Sequence, residues 1–283
     1  MNRLILGCGY VGREVAKLWQ QNSNQANDQL TVTTTTPSKV EQLSKISDRV
    51  EIVNGSDQAA IAKVIENQEV VLLSVGAKGR DTYRQSYLET ANNLVAALQT
   101  NTSVKQLIYT GSYAVLGDRQ GQWTDETTPT NPVTDGGKVL TETETVLLSA
   151  STQNRQVCIL RLAGIYGQGR ELIKIFGRAA GTTRPGNGAD YSNWIHLTDI
   201  VQAIEVAREQ KLAGIYHVAC DQCLTTGEFF QRLFKAHNLP GITWDKTKKS
   251  TRAYNTRLSN QKIKDAGLEL TYPEIDFSLV VDP

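Results

Sequence analysis

The sequence lacks the features that mark several large classes of protein. Its 30 basic residues almost balance 29 acidic ones, so a net charge of +1 gives no electrostatic basis for binding nucleic acid or an anionic membrane. No apolar run is long enough to cross a bilayer. Four cysteines predict no disulfide framework. Because the chain enters its first apolar strand at once, we expect no secretory signal and a cytoplasmic protein.

The two cysteines that lie closest together, Cys220 and Cys223, do not predict a metal site. A structural zinc needs four ligands, and the sequence offers no second cysteine pair to join them and the nearby His217. A redox-active CxxC motif usually opens a helix, whereas this one follows a predicted strand. We therefore interpret the pair as incidental and expect no bound metal.

What the chain does have, directly after its first strand, is a glycine-rich turn. Arg3–Leu6 leads into the sequence GCGYVG and then into an amphipathic run, Val11–Gln21. In a dinucleotide site the first glycine allows a tight turn, the second lets the pyrophosphate approach, and the third lets helix and strand pack closely. The start of the helix offers N–H groups and the positive end of its dipole. The residues predicted to bind a dinucleotide here are Gly7, Gly9, Tyr10, Val11 and Gly12.

The end of the second predicted strand bears on which nucleotide is bound. NAD sites commonly place a carboxylate there for the ribose 2′-hydroxyl, but this chain has Thr33–Lys39, which contains no acid. The absence removes the repulsion that would exclude a 2′-phosphate and favours NADP over NAD. The alternative is that the threonines merely suit a strand edge and the lysine is a solvated charge. The residues assigned to this part of the cofactor site are Thr34, Thr35, Ser38 and Lys39.

Strands and helical patterns alternate along most of the chain. Later predicted strands are Leu30–Thr34, Val50–Val53, Val70–Leu73, Gln106–Thr110, Cys158–Leu162 and Gly214–Val218. Helices between them are predicted at Ser38–Ile46, Gln58–Glu66, Tyr83–Gln99, Lys138–Ala150 and Asp199–Glu209, and polar Gln20–Gln29 is predicted as a loop. The alternation predicts right-handed βαβ units and an α/β fold, a Rossmann-type doubly wound parallel sheet of about seven strands.

The alternation is lost near the end of the chain, which predicts a second, smaller lobe. We expect a dinucleotide-binding Rossmann domain over residues 1–168, completed by 195–220, and a substrate-binding lobe formed by 169–194 and 221–283. Helices are predicted in the lobe at Thr226–His237 and Asn260–Ala266. The basic stretch Trp244–Arg257 is interpreted as a solvated face.

With the glycine motif, four further segments carry a resemblance to one family: Leu107–Gly117, Asp125–Pro129, Leu160–Arg170 and Asn193–Ile200. The chain resembles the extended or atypical branch of the short-chain dehydrogenase/reductase superfamily, the NAD-dependent epimerase/dehydratase family. The resemblance runs almost end to end. It implies catalysis by a serine, a tyrosine and a lysine, the last two spaced YxxxK so that they share one face of a helix.

The resemblance assigns two of these three catalytic residues and leaves the third unfilled. Ser112 takes the serine position and Lys138 the lysine position, whose family role is to lower the tyrosine pKa and hold the nicotinamide ribose. The tyrosine position is Thr134. An aliphatic hydroxyl is too weak an acid to replace a phenol whose pKa is about 10. Either another group supplies the proton, or the standard reaction does not run.

Other residues are assigned to the substrate end of the site. Tyr113, beside Ser112, and Tyr166 are alternative proton donors, with Asp135 a weaker one; for both tyrosines the competing interpretation is packing beneath a loop. His196 either contacts substrate or orders the turn before the predicted helix. Ser74, after the fourth strand, is assigned to the cofactor. The residues expected near the substrate are Tyr166, Arg170, Asn193 and His196. The resemblance also places Arg184 there, although a lone arginine is more commonly a surface charge.

Three hypotheses of different kinds remain open. The first is an NAD(P)-dependent oxidoreductase or sugar-nucleotide epimerase/dehydratase-like enzyme that binds NADP or NAD and a small-molecule substrate, such as a nucleotide sugar. The second is a non-catalytic NAD(P) sensor or scaffold, which the missing tyrosine motivates. The third is a relic that binds no cofactor. The resemblance also implies a homodimer through Tyr83–Gln99 and Lys138–Ala150.

Overall fold

A seven-stranded sheet organises the fold in the computed structural model, which describes residues 1–22, 28–77 and 79–280. Residues 23–27 of the loop predicted at Gln20–Gln29 lie outside the described part. The strands are β1 (Asn2–Leu6), β2 (Gln29–Thr34), β3 (Arg49–Ile52), β4 (Val70–Leu73), β5 (Gln106–Ser112), β6 (Asp118–Thr124), β7 (Gln156–Leu162), β8 (Gly164–Tyr166), β9 (Thr183–Pro185), β10 (Tyr191–Ser192), β11 (Trp194–His196), β12 (Gly214–Val218), β13 (Leu224–Thr225), β14 (Thr243–Asp245) and β15 (Asn255–Leu258).

Helices alternate with the sheet strands. They are α1 (Tyr10–Gln21), α2 (Val40–Leu43), α3 (Gln58–Val64), α4 (Thr90–Leu98), α5 (Asp135–Leu148), α6 (Leu172–Phe176), α7 (Leu197–Glu209), α8 (Thr226–Ala236) and α9 (Gln261–Asp265). The sheet order is β12-β7-β5-β4-β1-β2-β3, with parallel strands. The predicted Rossmann-type fold is therefore confirmed.

The core of the sheet explains why its central strands read as continuous apolar runs. Every residue of β4 is buried, as a parallel strand covered on both faces requires. Leu4 and Val71 on the strands pack in one hydrophobic cluster with Ile61 of α3 and Leu94 of α4. The helices thus bury their apolar stripes on the sheet and leave the carboxyl ends of the strands for polar residues.

The chain divides into two units by its internal contacts. The first contains Met1–Ser112, Asp135–Arg161 and Ala203–Tyr216, and the second contains Tyr113–Thr134, Leu162–Gln202 and His217–Pro283. In the second unit an aromatic core holds the short strands and α8 together. Trp194 stacks on Phe229 with ring centroids 4.8 Å apart, and Phe176 meets both rings edge-on.

The helix predicted at Tyr83–Gln99 is not regular. Residues Arg84–Glu89 wind as a π-helix before α4 begins at Thr90. At the end of this segment the Thr90 hydroxyl donates a side-chain hydrogen bond to the carbonyl of Gln85 at 3.3 Å. The predicted helix is therefore present, but its first part is wound as a π-helix, which a periodicity argument does not distinguish from an α-helix.

Helix α5 begins earlier than its predicted start at Lys138 and includes both Gly136 and Gly137. The Tyr83 ring lies against Gly136, where an added Cβ would come within 3.0 Å of the ring. The glycine therefore allows a close approach between this ring and the first turn of α5. Its intrinsic helix penalty of about 1 kcal/mol is the cost of that packing.

Candidate functional site

The glycine motif forms a turn whose three glycines meet three different surroundings. Gly7 has a φ of +94°, and a Cβ there would lie 2.8 Å from the Ser74 carbonyl oxygen. Its N–H donates to Thr33 Oγ1 at 2.9 Å. At Gly12 a Cβ would lie 2.9 Å from the Gly7 carbonyl oxygen and 3.1 Å from Ile5 Cγ2. Gly7 thus makes the turn, and Gly12 makes the close contact between α1 and β1.

Gly9 differs from the other two because it borders open space. A Cβ at this exposed glycine would meet no described atom within 4 Å. Gly9 is also the N-cap of α1, and no side chain caps the helix there. An uncapped helix start beside open space suits a pyrophosphate, because backbone N–H groups and the helix dipole attract an anion. Tyr10 and Val11 open this helix.

At the end of β2 the predicted nucleotide-binding residues divide into two groups. Thr34 is buried, and its Oγ1 accepts a hydrogen bond from the Thr36 N–H at 3.1 Å, so this hydroxyl shapes the turn. Thr35, Ser38 and Lys39 are exposed. They are therefore accessible to a ligand beyond the end of the strand.

A cation that sequence reasoning missed lies in the same region. Burial raises the pKa of the Cys8 thiol to about 12, while the positive charges of Arg13 and Lys39 oppose that rise. Both cations are therefore close enough to Cys8 to act on it. Arg13 is half-buried on α1, and its Nη1 donates to Gln42 Oε1 at 3.3 Å. A basic residue directly after the last glycine of the motif was the available signal.

Ser74 and Thr110 lie together where β4 and β5 end. The Thr110 hydroxyl donates to Ser74 Oγ at 3.1 Å, and the Ser74 N–H donates to the Leu6 carbonyl at 2.9 Å. Ser74 also supplies the carbonyl that borders Gly7. The structure therefore brings Ser74 next to the glycine turn, with Thr110 as an unforeseen neighbour.

Ser112 and Lys138, to which the resemblance assigns catalytic roles, both lie in the first unit. They occupy the end of β5 and the first turns of α5. Ser112 is the last residue of β5. The Lys138 ammonium lies 3.1 Å from Asp135 Oδ1, and both side chains are largely exposed. Thr134 directly precedes α5, in the second unit. Asp135 is thus a solvated partner of Lys138.

The alternative phenolic donors are both buried within the second unit. Tyr113 Oη accepts from Arg252 Nη2 at 3.1 Å, and burial raises the pKa of this phenol. Tyr166 is fully buried, its Oη accepts from the Asp276 N–H at 3.1 Å, and burial again raises the pKa. A raised pKa makes a phenol a weaker acid near neutral pH, so these contacts support the packing interpretation for both residues.

Two of the predicted substrate residues hold the second unit together. Asn193 is buried; its Nδ2 donates to the Thr256 carbonyl at 2.9 Å, and its Oδ1 accepts from the Leu258 N–H at 3.0 Å. The buried His196 accepts from the Thr198 N–H at 3.2 Å through Nδ1. This contact is the turn-ordering role that competed with substrate binding. Arg170 lies on an exposed turn.

A cavity of about 320 Å³ in the second unit was not foreseen. It is lined by aromatic rings and by two half-buried arginines, Arg184 and Arg252. The Arg184 guanidinium lies 5.1 Å from the centroid of the Phe230 ring. Trp244 and Arg252 come from the stretch that was interpreted as a solvated face, and both are half-buried in the wall of this cavity. The wall is formed only when β9, α8 and the 244–252 segment come together.

Within the described ranges, no group of histidine, cysteine or acidic side chains could hold a metal ion. Cys220 is buried, and burial raises the pKa of its thiol to about 12. No helix among the described residues has both the length and the apolar character to span a membrane.

Comparisons with known proteins agree over most of the chain. Residues 4–219 match the model of the NAD dependent epimerase/dehydratase family. Protein YeeZ of Escherichia coli strain K12 is 31% identical over 222 residues, 76% of each chain. A protein of unknown function from Silicibacter pomeroyi is 22% identical, with a TM-score of 0.73 over 98% of this chain and 95% of that one. The UDP-glucuronic acid 4-epimerase of Bacillus cereus, solved with UDP-glucuronic acid and NAD, is 17% identical, with a TM-score of 0.76 over 98% and 96%.

Proposed function

The chain belongs to the NAD dependent epimerase/dehydratase family, and from this premise we propose that it is an NADP-preferring oxidoreductase or epimerase-like enzyme acting on a nucleotide sugar or a similar anionic substrate. The observation that carries the proposal is the open space at Gly9, directly before the uncapped start of α1. The pyrophosphate of a dinucleotide fits that combination.

The preference for NADP rests on charge at the end of β2. No carboxylate stands there to accept a hydrogen bond from the ribose 2′-hydroxyl. Instead, two positive charges, those of Arg13 and Lys39, lower the pKa of the Cys8 thiol against the effect of burial. Two cations and the exposed hydroxyls of Thr35 and Ser38 suit a 2′-phosphate, which carries more negative charge than a hydroxyl.

The substrate class rests on the cavity of the second unit. Arginines hold phosphates through paired hydrogen bonds, and aromatic walls suit a flat base. Arg184, with Phe230 and Trp244, supplies both properties, and Arg252 adds positive charge while its Nε and Nη2 donate to Tyr254 and Tyr113. The Bacillus cereus epimerase of similar fold was solved with a UDP-sugar. A nucleotide sugar is therefore the first ligand to test.

The chemistry must proceed without the family's tyrosine. When bound, the nicotinamide supplies the hydride donor or acceptor. Ser112 would hold the reacting oxygen of the substrate through its hydroxyl, and the Lys138 ammonium would hold the nicotinamide ribose. Thr134 cannot act as general acid near neutral pH, because its hydroxyl is too weakly acidic. Proton exchange then falls to a group that substrate or solvent provides.

A second function is favoured by the same residues. With Thr134 in place of tyrosine and both Tyr113 and Tyr166 buried, the chain could bind NADP without turning over a substrate and act as a sensor. The two functions share the cofactor site and differ only in the reaction. Binding and turnover must therefore be measured separately.

The binding test is a thermal-shift and calorimetric comparison of NADP, NAD and UDP-sugars. A ligand at one hundred times its dissociation constant stabilises the fold by about 2.7 kcal/mol, an increase of about 5 °C or more in unfolding temperature. We expect NADP to give a larger shift than NAD. If neither nucleotide shifts the transition, the proposal of a dinucleotide-binding protein fails.

Turnover is tested by the absorbance of NADPH and by product analysis with the sugar that binds. An enzyme predicts a reaction that Ser112→Ala and Lys138→Ala both abolish while NADP still binds. A sensor predicts binding without any reaction in the wild type.

A further inference from the structure

A buried ion pair lies directly behind the strand end that carries Ser112. Glu144 of α5 and Arg161 of β7 are 3% and 2% exposed. Arg161 Nε donates to Glu144 Oε1 at 3.0 Å, and Arg161 Nη2 donates to Oε2 at 2.8 Å. This two-pronged arrangement fixes both side chains in distance and in direction.

The pair lies close to the residue that leads into Ser112. A Cβ at Gly111 would lie 3.5 Å from Glu144 Oε1 and 3.1 Å from the ring of Tyr109. The carboxylate and the ring therefore both border the space beside Gly111, the residue before Ser112 in β5. The same helix that carries Glu144 carries Lys138 in its first turns.

Stability alone does not account for this cluster. A buried ion pair contributes little net stability compared with apolar residues of the same volume, because both charges lose their hydration. Arg161 Nη1 and the Tyr109 hydroxyl also make no hydrogen bond among the described residues, although both are buried. What the pair provides beyond an apolar contact is fixed geometry.

We propose that the Glu144–Arg161 pair is a positioning device, which holds α5 against the end of β5 and so sets Lys138 relative to Ser112 for the nicotinamide end of the cofactor. The inference rests on the proposed function, since it assumes a dinucleotide in this site. Glu144 and Arg161 touch no ligand in this proposal; they act through Lys138 and Ser112.

The test separates stability from positioning by removing both charges together. In Glu144→Leu/Arg161→Met no charge is left unpaired, so we expect the double variant to fold with nearly the unfolding temperature of the wild type. We expect its affinity for the dinucleotide to fall about tenfold, the value of one hydrogen bond to a charged group. Its affinity for adenosine 2′,5′-bisphosphate, which lacks the nicotinamide end, should not change. The fluorescence anisotropy of bound NADPH should fall as well.

A matched control joins the same helix to the π-helical segment. Arg84 and Glu142 form an exposed ion pair at 3.2 Å, and Arg84→Gln/Glu142→Gln should change neither affinity. Should the buried double variant fail to fold, Glu144→Gln keeps the side-chain volume and should lower dinucleotide affinity severalfold, with the bisphosphate again unaffected.

The proposal is overturned if the buried double variant, or Glu144→Gln in its place, binds the whole dinucleotide as the wild type does. It is also overturned if dinucleotide and bisphosphate lose affinity equally, since that pattern indicates a general loss of structure. Failure of the proposed function looks different, because the wild type would then bind neither ligand.

Discussion

Alanine substitutions at Gly9 and Gly12 should separate cofactor binding from folding within one short motif. At Gly12 the new Cβ would lie 2.9 Å from the Gly7 carbonyl oxygen, a backbone atom that cannot rotate away. Overpacking of this kind costs about 1–3 kcal/mol. At Gly9 the new Cβ meets no described atom within 4 Å, so Gly9→Ala should destabilise the fold less than Gly12→Ala does.

The effects on NADP binding should be reversed, with Gly9→Ala the more damaging of the two substitutions. The methyl group of Gly9→Ala would occupy the space through which a pyrophosphate approaches the start of α1. Loss of one hydrogen bond to a charged group is worth about 1.5–3 kcal/mol, or about a ten- to hundredfold loss of affinity. Thermal unfolding without ligand and calorimetry with NADP measure the two effects. If Gly9→Ala binds NADP as the wild type does, the pyrophosphate does not pass over Gly9 and the reasoning is refuted.

Three further predictions concern charge. Lys39→Ala and Arg13→Ala should each lower the affinity for NADP about fivefold without changing the affinity for NAD. Titrations of both nucleotides check this, with the exposed Lys45→Ala as the control. Equal losses of affinity for the two nucleotides would contradict the prediction. Arg184→Ala should weaken UDP-glucose binding about tenfold while NADP affinity stays the same; the exposed Arg178→Ala is the control in the same calorimetric experiment. Burial lowers the pKa of His196, so the folded chain holds this imidazole neutral and the unfolded chain binds the extra proton. Stability should therefore be full above about pH 6.5 and fall as the pH drops below it, and His196→Asn should flatten this part of the unfolding-temperature profile.

The sequence predicts a feature of the site well when the interactions that form it join residues close together along the chain. The glycine turn could be read from residues 7–12 because its demands are local: a positive φ at Gly7 and a close contact at Gly12. The missing acid after β2 could be read in the same way. The π winding of Arg84–Glu89 could not, because the apolar pattern indicates a helix without distinguishing π from α winding.

Residues whose role depends on burial were not predictable from their neighbours in the chain. Tyr113 and Tyr166 had two interpretations each, and only their tertiary contacts with Arg252 and Asp276 favour packing. The cavity wall formed by Arg184, Trp244 and Arg252 joins segments far apart in sequence. No local periodicity reports such a juxtaposition.

The sequence by itself therefore determined the fold class and the dinucleotide motif, because alternating strands and helices and a turn at their start are encoded over a few residues at a time. Only the tertiary structure decided which of the candidate side chains are buried and which are accessible. Burial and electrostatic environment are set by all the elements that pack around a residue, and for Arg13, Glu144 and Arg252 those elements come from distant parts of the chain.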